Sequence, residues 1–455
     1  MRGPPPGMAE GAGVDYDREP QMGRPGADRL RDHADLPPAR TRPPRNRQGA
    51  LAGRRFLLVT LPAGPFGRVL GRALRQAGAQ TLRVIANGGD LLDWGLERTV
   101  FTFGRFEAWP TFISETIAKR RITDVVVFGD VTAYCAGAVG AARAAGVRLW
   151  VMENGYRRPN WVTLEADGVN ANSGLPRQAR AYDDVDMRPL GEGPPPVGAI
   201  TPYHAFNVFD YFAGVILGWP IFRHYRYPYA HRIWPQAFGH ARRYAVWLFR
   251  RGAREREALA LLDDPRPFFL ACLQREGDSQ LLCHSKVKTN SAFMAEVIRS
   301  FASHAPADAF LVIKNHPLDP GVENLAQICR TIAWSHGLGG RVRFVEGGPF
   351  AALARASRGI VAVNSTAALA ALDFAAPVKL LGSALFDIPG LIDPQPLETF
   401  WSDPAAPDQE LLGRFRRRLS LRTQVWGSYH NPKVLDRTAR GIVARIIEPG
   451  AEFLA

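Results

Sequence analysis

From residue 55 the chain alternates short apolar, β-branched runs with stretches of helical period. RFLLVTL is followed by FGRVLGRALRQAG and TLRVIA, then by DVVVFG, TAYCAGAVGAARAAG and VRLWVM. This is the pattern of parallel strands joined by crossover helices. It breaks over roughly 160–240, a stretch rich in Pro, Gly, Tyr and Trp. It restarts with strands at PFFLACL, AFLVIKN, RVRFV, GIVAV and PVKLL and helices near 290–304, 322–336 and 366–375. The expected fold class is therefore α/β, with two Rossmann-like domains at 55–255 and 256–400. The last segment, 401–455, carries helical ELLGRFRRRLSLR and LDRTARGIVARII and is expected to pack back on the domains.

Residues 1–54 mix Arg, Pro, Gly and Asp and lack the apolar core of a secretory signal, so they read as a disordered tail. The length of 455 residues exceeds one ordinary core, and a hydrophobic content of 46% fills two. Cys135, Cys272, Cys283 and Cys329 are scattered in a way that suggests neither a zinc site nor a disulfide framework. A reducing cytoplasm fits that usage.

The formal charge of +14 implies anionic partners: nucleic acid, membrane lipid or an acidic substrate. Between Arg223 and Arg254 there are eight arginines and no Asp or Glu, interleaved with aromatic rings. Just before them, YFAGVILGWPIF (211–222) is 12 uncharged residues, short of the roughly 20 that cross a bilayer. The segment 200–254 is then either a surface for anionic lipid headgroups or a basic helix packed by its aromatic side. A nucleic-acid binder is suggested by charge alone, with no recognised module, and no nucleic-acid partner is expected.

PAGPFGRVLG has glycines at 64, 67 and 71, the wrong spacing for GxGxxG, and reads as a tight turn opening a helix. Neither a Walker A loop nor HExxH is present, and no metal site is expected. In open parallel sheets ligands bind beyond the carboxyl ends of the strands. Four strand ends carry reactive residues: Glu153-Asn154-Gly155; Gln274 with Asp278; Lys314 with His316-Pro317; and Asn364-Ser365-Thr366. Ser365 is an ordinary N-cap residue, yet with Thr366 it can also hold an anion, to which His316 can add a ring N–H. Glu153 and Asp278 lie in different domains, so a cleft could set two carboxylates about one substrate. Retaining glycosyl transfer needs such a pair, one as nucleophile and one as acid/base.

ENGYRRPNWVTLEADGVNANS (153–173), LQREGDSQLLCHS (273–285), SFASHAPADAFLVIKNHPLDPG (300–321) and VNSTAALAALDFAAPVKLLGSALFDIPGL (363–391), with NGGD (87–90), resemble the capsular polysaccharide biosynthesis and export family. The resemblance spans about 55–395. It implies a GT-B arrangement, two domains facing a cleft, and transfer of Kdo from CMP-Kdo to a phospholipid with no further cofactor. It places the protein peripherally at the cytoplasmic face of the inner membrane, beside capsule export machinery. The short motifs are also similar to those of bacterial sialyltransferases.

Carried over, the resemblance makes Glu153 the acid/base and Asp278 the nucleophile. It gives His316 the charge growing on the leaving CMP, and Ser365 with Thr366 the phosphate. Gln274, Lys314, Pro317 and Asn364 fall in the donor motifs. Asp90, Asn170, Asn172, Ser173 and Ser285 fall in the acceptor and substrate stretches. The chain departs from the family pattern in GDVTAYC, where Thr132 and Cys135 stand in place of Arg and His, and at Asn154, where a second acid is usual. Arg157, Arg158, His284 or Lys286 would then answer the carboxylate of Kdo. The contrasting expectation is a non-catalytic assembly or export factor that keeps the fold and binds glycolipid.

Overall fold

Uninterrupted apolar runs such as Val125–Val127 and Phe269–Ala271 suit strands covered on both faces, and each of these side chains is fully buried. The computed structural model describes residues 49–157, 159–188, 196–198, 200–227, 233–276, 279–319 and 321–451. Its strands are β1 (Arg55–Leu58), β2 (Gln80–Ile85), β3 (Thr99–Phe101), β4 (Asp124–Phe128), β5 (Arg148–Asn154), β6 (Trp161–Ala166), β7 (Phe268–Cys272), β8 (Phe310–Lys314), β9 (Val342–Val345), β10 (Gly359–Ala362), β11 (Val378–Leu380) and β12 (Gln424–Trp426).

They form two sheets, ordered β12-β6-β5-β4-β1-β2-β3 and β11-β10-β7-β8-β9. The second is parallel throughout, and in the first only β6 opposes its neighbours β5 and β12. Each half thus winds outward from its first strand and then reverses. The reversal lies between β1 and β4 in one sheet and between β7 and β10 in the other. At such a reversal the crossovers leave to opposite faces, opening a crevice at the carboxyl edge. The two Rossmann-like domains meet at these edges, where Cys283 Sγ after β7 lies 3.9 Å from the Val131 carbonyl after β4.

Each sheet is covered on both faces. Phe56, Phe66, Leu70 and Ile442 fill one face of the first sheet, and Ile113, Val127 and Val151 the other. In the second, Phe269, Phe301 and Trp401 pack one face edge to face. Burying each such side chain contributes roughly 1.5–3 kcal/mol. The opposite face is shared between domains, because Tyr156, Leu175 and Tyr182 from the first half join Phe310, Ile360 and Phe415 in one cluster.

Several boundaries differ from the sequence-based expectation. Residues 1–48 of the expected tail lie outside the described residues. Residues 49–54 belong to the first domain: Leu51 is fully buried, its N–H donates to the Ala77 carbonyl at 2.9 Å, and Arg54 Nε reaches Asp124 at 3.1 Å. The interrupted region contains β6, joined to β5 by a hairpin, so no crossover helix announces it. Gly155 makes that hairpin possible, since a Cβ there would lie 2.0 Å from the Trp161 carbonyl oxygen. The last segment contributes a strand as well as helices, for β12 extends the first sheet and the helix Leu435–Ile447 packs on Phe66–Gln76. The helix Ile233–Leu259 runs through the expected boundary at 255 because AREREAL offers good helix formers and no breaker.

Candidate functional site

At the reversal point of the second sheet, the ends of β7 and β10 are tied by one side-chain bond, Gln274 Nε2 to Asn364 Oδ1 at 2.8 Å. Asn290 holds Gln274 from below: its Nδ2 donates to the Gln274 carbonyl at 2.8 Å and its Oδ1 accepts the Gln274 N–H at 3.2 Å. Asn290 is buried at the start of the helix Asn290–His304. No motif marked it. Gln274 Oε1 is buried and accepts no hydrogen bond among the described residues, so a donor on a bound ligand would relieve its desolvation. Ser365 caps the helix Thr366–Ala371, accepting the Ala368 N–H at 3.4 Å, and Thr366 beside it is exposed.

After β8, His316 Nδ1 accepts the Leu318 N–H at 3.0 Å. That bond fixes the tautomer, leaving the proton of the neutral ring on Nε2, as a donor to an anion requires. Asn315 seats the turn by accepting the His316 N–H at 2.8 Å while its Nδ2 reaches Glu346 at 3.1 Å. Pro317 is exposed, and burial pushes the Lys314 ammonium pKa down. Arg243 pairs with Asp319 at 3.0 Å and Glu346 at 3.1 Å, and Arg242 donates to the Gly321 carbonyl at 3.0 Å. Two arginines of the basic segment, Arg242 and Arg243, therefore brace the His316 turn.

In the first domain Glu153 is the last residue but one of β5, with Oε1 accepting the Asn154 N–H at 2.8 Å. A Cβ on Gly129, at the end of β4, would lie 3.7 Å from Glu153 Oε2, so the carboxylate stands over the β4 turn. Next to it is Asp130, which sequence reasoning passed over. Asp130 is buried; its Oδ2 accepts from Val169 N–H at 3.1 Å and Asn172 Nδ2 at 2.9 Å, while Oδ1 has no partner among the described residues. Across the domain boundary, His284 Nε2 is likewise buried without a partner among them. Burial lowers the His284 pKa, opposed by the Asp130 charge and reinforced by Arg177 and Lys288.

Other expected ligands have internal duties. Asp90 has both oxygens occupied, Oδ1 by Arg83 at 2.6 Å and Oδ2 by Ala86 N–H and Asn87 Nδ2 at 3.1 Å each. It stabilises the start of the helix Gly88–Trp94. Arg157 donates to Ser420 Oγ at 2.9 Å, and Ser285 accepts the Val287 N–H at 2.9 Å. Ser173 donates to Glu165, which also accepts from Tyr156 OH at 2.9 Å, and Tyr156 OH accepts the Asn170 N–H at 2.7 Å. Asn170, Asn172 and Ser173 thus hold a strap against Asp130 and Glu165. Burial pushes the Glu165 pKa up to about 7, with Asp130 adding to the rise and Ser173 and Tyr156 opposing it. Thr132 donates to Cys135 Sγ at 2.9 Å, closing internally the place where relatives were expected to carry a cation. Asp278 and Arg158 lie outside the described residues. No three His, Cys, Asp or Glu side chains gather as metal ligands among the described residues.

A family model described as capsule polysaccharide biosynthesis protein matches residues 123–430, from β4 through β12. The chain belongs to that family. It is 31% identical over 84% of its length to the Escherichia coli capsule polysaccharide export protein KpsS, covering 98% of that protein. It is 33% identical over 83% of its length to the capsule polysaccharide modification protein LipB of Neisseria meningitidis serogroup A, covering 91% of it. Among solved structures, KpsC β-Kdo 2,7 transferase of Thermosulfurimonas dismutans aligns over 79% of this chain and 89% of its own, with 13% identity and a TM-score of 0.36. UDP-GlcNAc 2-epimerase of Neisseria meningitidis aligns over 87% and 98%, with 11% identity and a TM-score of 0.28.

Proposed function

We propose that this capsule biosynthesis protein is a retaining glycosyltransferase that moves Kdo from CMP-Kdo to a phospholipid such as lysophosphatidylglycerol. The observation that carries the reading is the meeting of the two carboxyl edges. Gln274, Asn364 and His316 lie at the ends of the second sheet and Glu153 and Asp130 at the ends of the first, and the Asp130 charge acts on the His284 ring across the boundary. A nucleotide sugar bound there touches both domains at once.

In this reading the Asp278 carboxylate attacks the anomeric carbon as its bond to the CMP phosphate oxygen breaks. Ser365, Thr366 and His316 Nε2–H take up the charge gathering on CMP. Glu153 then removes the proton of the acceptor hydroxyl, whose oxygen displaces Asp278 from the same face that CMP left, so configuration is retained over the two steps. Arg157, Arg158, His284 or Lys286 would answer the Kdo carboxylate. Neither a metal nor a further cofactor is invoked. The work would take place at the inner face of the cytoplasmic membrane, beside the export machinery.

Purified protein incubated with CMP-Kdo and lysophosphatidylglycerol, followed by mass spectrometry of the lipid, tests this. A lipid heavier by Kdo with wild type, and none with Asp278→Ala, is expected. The relatives described as export and modification proteins favour one second reading, a factor that binds glycolipid without catalysis. It predicts no transfer, and unchanged capsule production in cells carrying Asp278→Ala.

A further inference from the structure

The helix Thr201–Leu217 is packed inside out. It contains no Lys or Arg and a single acid, Asp210. Its glycine and the one that caps it face the protein: a Cβ on Gly88 would lie 2.2 Å from the Gly214 carbonyl oxygen, and one on Gly218 would lie 2.7 Å from Gly88 Cα. Tyr211 and Phe212 are half-buried, but several of its large apolar residues face outward. Phe206 is 66% exposed, Phe209 74% and Leu217 81%, and the turn that follows adds Trp219 at 64% and Ile221 at 62%. A soluble helix places these two sets the other way round, and an apolar surface this continuous marks an interaction site.

The surroundings indicate what covers it. Phe222 returns to the domain and stacks on the exposed Phe103 at 5.4 Å, carrying the patch onto the loop after β3. Exposed Arg223 and Arg226 follow directly, and exposed Arg105 flanks Phe103. Apolar side chains and a tryptophan followed in the chain by exposed arginines match an acyl boundary beneath anionic headgroups. No helix among the described residues is long and apolar enough to cross a membrane, so the fitting geometry is a helix lying in the surface plane.

We infer that Thr201–Ile221, with Phe103, is a monotopic docking surface that seats the protein on an anionic bilayer by partial insertion of Leu217, Trp219 and Ile221. The surface is continuous with the cleft. The Arg226 N–H donates to Tyr134 OH at 3.0 Å, and Tyr225 stacks on Tyr134 at 5.5 Å, on the helix that begins just after Asp130. Docking therefore sets the carboxyl edge of the first sheet at headgroup level. The inference deepens the proposed transfer to a phospholipid and rests on it only for that consequence; docking stands if transfer fails.

The test reads docking without chemistry. Wild type and a Leu217→Glu, Trp219→Glu, Ile221→Glu variant are sedimented with vesicles of phosphatidylethanolamine and phosphatidylglycerol, and with phosphatidylcholine alone. All three side chains are exposed, so thermal unfolding of the two proteins should coincide. Wild type should bind the anionic vesicles, more weakly as salt is raised, and the variant roughly tenfold or more weakly. Lipids brominated on the acyl chains should quench tryptophan emission in wild type and less in Trp219→Phe. Equal binding by the triple variant, no binding by wild type, or quenching unaffected by Trp219→Phe would overturn the inference. So would a wild-type dimer in solution that the triple variant abolishes, since the face would then be an interface between copies.

Discussion

Gln274 Nε2 donates to Asn364 Oδ1 at 2.8 Å and so joins the carboxyl ends of β7 and β10 where the second sheet changes winding direction. The bond orients Gln274 Oε1 as a buried acceptor at the place where the fold opens a crevice. Gln274→Ala should lower stability by about 1 kcal/mol and weaken CMP binding severalfold. Thermal unfolding and calorimetric titration with CMP measure the two effects separately.

His316 should act on the leaving group more than on binding. Its Nδ1 is committed to Leu318, which keeps Nε2 protonated in the neutral ring. His316→Ala is expected to lower kcat by roughly 10²–10³ with a small change in KM for CMP-Kdo, the pattern of a donor that matters chiefly in the transition state. Steady-state kinetics of Kdo transfer checks it.

Asp130 and His284 should behave as a coupled pair across the domain boundary. Each presents a buried atom without a partner among the described residues, and the Asp130 charge acts on the His284 ring. Asp130→Asn and His284→Gln should be non-additive in kcat/KM, with a coupling of roughly 0.5–3 kcal/mol. Additive losses would mean that the domains do not cooperate through this pair.

Glu165 gives the protein a pH dependence of stability. Its pKa in the folded state is raised from 4.5 to about 7 by burial, so between these values the folded chain holds a proton that the unfolded chain has released. Stability therefore falls as pH rises through that window, by at most about 1.4 kcal/mol per pH unit from this group. Glu165→Gln should remove that slope: its melting temperature relative to wild type should rise from pH 5 to pH 8, measured by calorimetry.

The apolar runs were enough to read two parallel α/β halves, since strands buried on both faces leave an uninterrupted signature in sequence. The strands that escaped, β3, β6 and β12, are short or antiparallel and lie at or near one edge of the first sheet or the other, where neither crossover spacing nor a long apolar run reports them. Strand ends carrying Glu153, Gln274, His316 and Asn364 were legible because a topological rule selects them. Asp130 and Asn290 were not, for an acid or an amide gains its role here only from partners distant in sequence or across the domain boundary. Asp90 shows the converse, a polar residue in a motif-like stretch whose bonds are spent inside the fold.

The central claim is that a cytidine nucleotide binds where the two carboxyl edges meet. A crystal structure of the protein with CMP tests it most directly. The account predicts CMP beside Gln274 and Asn364, with its phosphate within hydrogen-bonding reach of His316 Nε2 and Ser365 or Thr366, and Glu153 facing it across the cleft. CMP seated away from both strand ends, or no binding in a protein whose fold is intact, would contradict it.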